Sequence, residues 1–217
     1  MAKASFKKLK NMMPNQAKVL IIRHGSTDLN KEGGTSQDRI RGWADVLLND
    51  KGRADAEKAA KKLEHEHPEE IYASDLKRAE ETAHIINQHF HVPMTISRDL
   101  RPWNVGMYTG KKTDEVIGDL NHCVKNEEIV PVDGESFKHF RTRYLSKLRE
   151  IMDEALRENC TYFVVSHFRN VKTYAAWEKL GFPEDLSIDP ETMIEDNCKP
   201  GEIITVDLDT YVKRDMK

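Results

Sequence analysis

Val19-Leu20-Ile21-Ile22-Arg23-His24-Gly25-Ser26-Thr27-Asp28-Leu29-Asn30 decides how this chain is read. Its four consecutive apolar residues, three of them β-branched, spell a strand buried on both faces. The strand runs into a permanent cation, an imidazole and then a glycine, the residue that lets a backbone approach a ligand closely. Ser26, Thr27, Asp28 and Asn30 follow with turn and helix-cap chemistry. Open α/β sheets place ligand sites where a buried strand ends in such a turn. A lone histidine there is more often packed or solvated than reactive, so its flanks carry the argument.

Downstream, apolar spacing alternates between helix and strand. Ala56, Ala59, Ala60 and Leu63 recur at helical spacing after Asp50, and Ile71-Tyr72-Ala73-Ser74 reads as a second strand. Leu76, Ala79, Ala83, Ile86 and Phe90 make the next helix, with Ser74 and Asp75 placed to cap it. Met94-Thr95-Ile96 is a third strand, and Pro102, Gly106 and Gly110 keep Leu100 to Gly110 irregular. A short helix is expected over Thr113 to Val124. Phe137, Phe140, Tyr144, Leu148, Ile151, Met152 and Ala155 hold the longest one, ending near Glu158. Tyr162 to His167 repeats the opening motif, a buried strand ending in histidine, and a helix through Tyr174 and Leu180 follows. Phe182 to Glu202 reads as acidic loop and Ile203 to Leu208 as a final strand. Strands alternating with helices imply one α/β domain with a mostly parallel sheet.

The bulk composition narrows the partners. The chain has 217 residues, 33% charged and 38% hydrophobic, with a net charge of −3, so nothing draws it globally to nucleic acid or an anionic membrane. No apolar run approaches the ~18–20 residues of a membrane span. Cys123, Cys160 and Cys198 are too few and too scattered for a disulfide framework or zinc site, which suits a reducing, cytoplasmic setting. Residues 1–17 carry several lysines and no apolar core, and read as a basic N-terminal extension. The pairs His65/His67 and His89/His91 mimic metal-ligand spacing but sit at polar helix ends, where solvated histidines are the expectation.

Three strand-to-helix junctions therefore carry reactive groups: Arg23-His24, Ser74 to Arg78, and Ser166-His167. In a parallel sheet they emerge on one edge and converge. Two arginines and two histidines around a point suit a dianion, most naturally phosphate. One imidazole, neutral, can attack phosphorus while the other, protonated, holds an oxygen. Gly25 and the amides of Ser26 and Thr27 complete a cradle in this reading.

Arg23-His24-Gly25-Ser26-Thr27-x-x-Asn30 resembles the RHGxTxxN signature of the histidine phosphatase (phosphoglycerate mutase-like) superfamily. The likeness continues, in order, through Arg39-Ile40-Arg41-Gly42-Trp43-Ala44-Asp45, Ala73 to Ala83, Gly134-Glu135-Ser136 and Val164 to His167. It implies a three-layer sandwich with helices on both faces of the sheet, formed by a single domain over residues 18–217. It implies that His24 is a nucleophile forming a phosphohistidine, that Arg23, Arg78 and His167 bind the phosphoryl group, and that Asn30, Arg41 and Gly42 line the pocket. No metal or other cofactor is expected, and the partner is a small phosphorylated substrate. The likeness does not bear on oligomeric state.

Two departures matter. Where the family has an acid that protonates the leaving oxygen, alignment on Gly106 and Gly110 places Pro102. Asp99, Asn104, Asp28, Asp133 and Glu135 are the substitutes in the sequence, and Glu135 is the preferred one. After His167 the usual glycine is Phe168, followed by Arg169, which narrows the pocket and adds charge at its rim. The expected activity is metal-independent hydrolysis of phosphomonoesters. The alternatives are a phosphoglycerate mutase-type phosphotransferase and a phosphate- or phosphopeptide-binding protein with little turnover.

Overall fold

Along the opening strand, Val19 and Ile21 face one hydrophobic cluster while Leu20 and Ile22 face another, so the sheet is covered on both sides. The computed structural model describes residues 17–30, 38–195 and 198–214, and the basic N-terminal extension expected over residues 1–17 lies almost wholly outside them. Strands β1 (Lys18–Arg23), β2 (Pro68–Ser74), β3 (Met94–Ser97), β4 (Thr161–Ser166) and β5 (Ile203–Thr205) form one sheet in the order β3-β2-β4-β1-β5. All pairings are parallel except that of β5, which is antiparallel to β1. Helices α1 (Asp50–Lys62) and α2 (Lys77–Phe90) cover one face with small residues, among them Ala59, Ala60, Ala79 and Ala83. On the other face, α3 (Thr113–Lys125), α4 (Phe137–Glu158) and α5 (Phe168–Lys179) pack a larger, aromatic-rich core around Phe137, Phe140, Tyr144 and Trp177. Among the described residues no helix is long and apolar enough to cross a membrane.

Three expectations need correcting. The stretch from Phe182 to Glu202 is not all loop: Pro190–Glu195 forms helix α6, opened by a proline at its first position, with Asp189 accepting from the Thr192 amide. The last strand ends at Thr205, and Leu208–Lys213 turns into helix α7, capped by Asp207 through the Thr210 amide. Short polar helices of this kind have too few residues for a legible period. Finally, α2 is not capped by Ser74 or Asp75. Asp45, brought in from another loop, accepts from the Lys77 amide at 2.8 Å, while Asp75 forms a two-pronged pair with Arg101 at 2.6 and 2.7 Å.

Gly25 is required by packing more than by a ligand. A Cβ at Gly25 would run into the Gly52 carbonyl in the first turn of α1, and a Cβ at Gly52 into the Ser26 backbone. This glycine-to-glycine approach seats α1 directly behind the tip of β1. Asn49 reinforces the seat: its side chain caps the Gly52 amide and its own amide donates to the Ser26 carbonyl.

Candidate active site

The register of β1 against β4 pairs Arg23 with Ser166, so His24 and His167 leave neighbouring strands side by side. The His24 amide donates to the Ser166 carbonyl at 2.9 Å, and the two imidazole centroids lie 5.1 Å apart at 61°. On the far side of β4, β2 ends level with them and delivers Arg78 in the first turn of α2. His24, Arg41, Gly42, Arg78 and His167 all line one cavity of about 310 Å³. Ile40, Trp103, Val105, Ile117, Leu120 and Phe168 give that cavity an apolar wall.

Each group is held by identifiable bonds. His24 Nδ1 lies 2.7 Å from the Gly25 carbonyl oxygen, which can only accept. The proton therefore sits on Nδ1, and Nε2 keeps its lone pair. Arg78 donates to the carbonyls of Ala44 and Gly42 at 2.6 and 2.9 Å, while its Nε is buried without a partner. Arg23 donates to the Cys198 carbonyl, stacks over Phe168 at 5.0 Å, and also leaves Nε unpartnered. Both ring nitrogens of His167 are buried and unpartnered. Buried donors without partners are costly, and of these groups Arg78 and His167 line the cavity while Arg23 lies behind its wall.

Electrostatics points the same way. Burial, with Arg41 beside it, lowers Arg78 to about 9 and Arg23 to about 10, both still charged at neutral pH. Burial and then the Arg78 charge hold both His24 and His167 well below the usual imidazole value. His24 is thus neutral and able to attack. The same burial and arginine charges favour the neutral form of His167. This has a consequence for stability. As pH falls through the unfolded value near 6.5, the unfolded chain binds protons that these two native histidines refuse, so stability is lost on acidification. The fold is therefore less stable at pH 5.5 than at pH 7.5. Urea unfolding at pH 7.5 and 5.5 checks this against a His24→Asn/His167→Asn variant, in which most of that loss should vanish. Asp189, lowered to about 2 by bonds from Lys179 and Thr192, acts only at much lower pH.

Several residues expected at the site do other work. The amide of Gly25 donates to Thr82 Oγ1, that of Ser26 to Asp55 Oδ2 and that of Thr27 to Asn30 Oδ1, so none of the three is free to cradle phosphate. Ser26, Thr27 and Asn30 shape the loop behind His24 and are not among the residues lining the cavity.

Glu135 is likewise a brace and not a wall of the cavity. One of its oxygens accepts from the Asn104 amide at 2.9 Å and Arg143 at 2.7 Å, and the other faces His139 at 3.1 Å. Arg143 in turn donates to the carbonyls of Arg98, Asp99, Arg101 and Pro102, fixing the loop that carries Pro102. Breaking this mostly buried pair by Glu135→Ala should cost about 3 kcal/mol of stability. Thermal unfolding checks that cost. The variant should show the same relative rates on esters of different alcohols as the parent, which a proton donor could not.

Pro102 does line the cavity, in the place where the sequence led one to look for an acid. The charged lining residues that sequence reasoning did not single out are Asp38 and Lys172. Lys172 was findable, since it lies three residues beyond Arg169 on the same helix face. Asp38 was not, because a long loop brings it in. Its carboxylate accepts from Thr113 Oγ1 at 2.8 Å and faces Arg41 at 3.4 Å. Among the described residues no cluster of His, Cys, Asp and Glu has the makings of a metal site.

A sheet edge carrying two buried histidines and a knot of arginines defines a phosphate-handling α/β protein. The chain belongs to the histidine phosphatase superfamily, branch 1, whose family model matches residues 19–195. It is 33% identical to phosphoglycerate mutase-like protein 4 of Arabidopsis thaliana over 159 residues, 70% of this chain and 66% of that one. It is 31% identical to the metal-independent phosphoserine phosphatase of the same plant over 158 residues, 69% of this chain and 63% of that one. The matched part is thus less than two thirds of either relative. The fold matches that of mycobacterial glucosyl-3-phosphoglycerate phosphatase with a TM-score of 0.68 at 21% identity, covering 87% of this chain and 89% of that one.

Proposed function

We propose that the chain is a phosphomonoester hydrolase that works without a metal, through a phosphohistidine on His24. The observation that carries this is the pairing of a free imidazole lone pair with orphaned donors. His24 Nε2 is the available nucleophile, and on the same cavity wall Arg78 Nε and the ring nitrogens of His167 are buried without partners among the described residues. Guanidinium groups supply the charge stabilisation that a metal supplies elsewhere.

In the first step His24 Nε2 attacks phosphorus in line. The N–P bond forms as the ester P–O bond breaks, and the leaving oxygen departs with the electron pair. The Gly25 carbonyl, already accepting from Nδ1–H, stabilises the positive charge that grows on the ring. Arg78 and His167 hold the phosphoryl oxygens. Water then breaks the N–P bond, releasing inorganic phosphate and restoring neutral His24. With Pro102 on the cavity wall, no proton reaches the leaving oxygen from that position. Asp38 is committed as an acceptor, and Glu135 lies outside the cavity. Good leaving groups such as phenols are therefore the favoured esters.

The test is to mix the protein with radiolabelled phenyl phosphate and quench in alkaline denaturant, where an N–P bond survives. Covalent label at steady state, together with phosphate release in the presence of chelator, is the expected result. Phosphate or vanadate binding with neither label nor release would favour the binding-only alternative.

A further inference from the structure

We propose that Trp43, which lies outside the cavity, is a positioning residue for Arg78, and that it aims the arginine by tying two cavity loops together. The inference rests on the phosphate-pocket reading above and adds how that pocket is set.

Residues 41–45 grip the start of α2. The Gly42 and Ala44 carbonyls accept from the two terminal nitrogens of Arg78 at 2.9 and 2.6 Å, and Asp45 accepts from the Lys77 amide at 2.8 Å. A guanidinium is a rigid planar fork, so holding both terminal nitrogens fixes its plane and the direction of Nε. That Nε is buried without a partner among the described residues. Arg78 is therefore placed only as well as the two carbonyls that hold it.

Trp43 is the residue between those carbonyls, and it is not among the residues lining the cavity. Its indole Nε1 donates to the Pro102 carbonyl at 2.8 Å. Three guanidinium groups gather on its ring, that of Arg101 at 4.6 Å from a centroid, Arg98 at 5.8 Å and Arg143 at 5.9 Å. Indole offers cations the strongest of the aromatic faces. Arg101 is held in turn by Asp75, and Arg143 by Glu135, so the cage around the indole is itself anchored. Gly42 completes the seat. Its φ is +45°, and a Cβ there would meet the side chains of Val105 and Thr109. Trp43 thus pins residues 42–44 to the segment that carries Pro102, and Arg78 inherits its orientation from that pin.

Inorganic phosphate is the probe, and calorimetry around a double-mutant cycle is the test. Trp43→Leu, which removes both the N–H and the ring face, should weaken phosphate binding about tenfold, the worth of a charge-assisted hydrogen bond that is no longer aimed. Trp43→Phe keeps a ring for the guanidinium groups and should recover part of that loss. Arg78→Lys leaves a point charge with no fork to orient, so in that background Trp43→Leu should change the affinity by less than about twofold. An equal loss in both backgrounds is what a general loosening of the fold would give, and it overturns the inference. So does a folded Trp43→Leu that binds phosphate as the parent does. A second readout uses the parent sequence labelled with 5-fluorotryptophan, whose three fluorine resonances belong to Trp43, Trp103 and Trp177. Saturating phosphate should move the Trp43 signal and leave that of Trp177, packed against Phe182 and Tyr211, where it was. A Trp43 signal unmoved by bound phosphate overturns the inference alone. Failure of phosphate to bind the parent overturns the phosphate pocket and this inference together.

Discussion

Replacing His24 with alanine is expected to lower phosphate release from phenyl phosphate by about 10³-fold or more, because it removes the imidazole that forms the covalent intermediate in the proposed mechanism. Neighbouring groups cannot take its place. His167, the other neutral imidazole in the cavity, is the expected phosphate holder, and its two nitrogens have no protein partner to orient one of them as a nucleophile. The Gly25 carbonyl fixes the His24 tautomer and leaves Nε2 free, so the attacking atom is set by a backbone bond and not by a carboxylate. The measurement is steady-state release with chelator present, alongside near-ultraviolet circular dichroism to confirm that the variant is folded. Release within tenfold of the parent would overturn the phosphohistidine mechanism.

The second large effect concerns the leaving group. An acid that protonates the departing oxygen typically contributes 10²–10⁴-fold, and Pro102 cannot serve as one. Phenyl phosphate should therefore exceed ethyl phosphate in the single-turnover chemical step by about that factor beyond what an acid-assisted site shows. Phenoxide leaves unaided far more readily than ethoxide. The loop around Pro102 is not free to bring another group in. Its carbonyls accept from Ser166, Asn170, Arg143 and Trp43, so the proline is held where it is. Asp38→Asn is the companion variant. It should slow both esters alike, by loosening Arg41; a selective loss on ethyl phosphate would identify Asp38 as the missing acid. Similar rates for the two esters in the parent would overturn the acid-free reading.

Much of this was legible in the chain. The two buried strands ending in histidine were visible because a strand buried on both faces reads as an unbroken apolar run, and Val19 to Ile22 and Tyr162 to Val165 are such runs. The position of Arg78 followed from a helical period starting just after β2. The antiparallel pairing of β5 and the short helices α6 and α7 were not legible, since three to six residues carry no clear period. The bonding of Glu135 was not legible because its motif position gives no sign of Arg143, which lies eight residues on and faces it across the turn into α4.

The sequence by itself determined the α/β class, the parallel order of its three polar junctions and the proline at position 102, because each is written in local apolar period or residue identity. Only the tertiary structure decided which hydrogen-bonding groups remain free. Backbone amides at Gly25, Ser26 and Thr27 are consumed by Thr82, Asp55 and Asn30, while Arg78 Nε and the two His167 ring nitrogens are left without partners among the described residues. That distinction depends on partners distant in sequence that meet only when the sheet forms, so no reading of one segment could supply it.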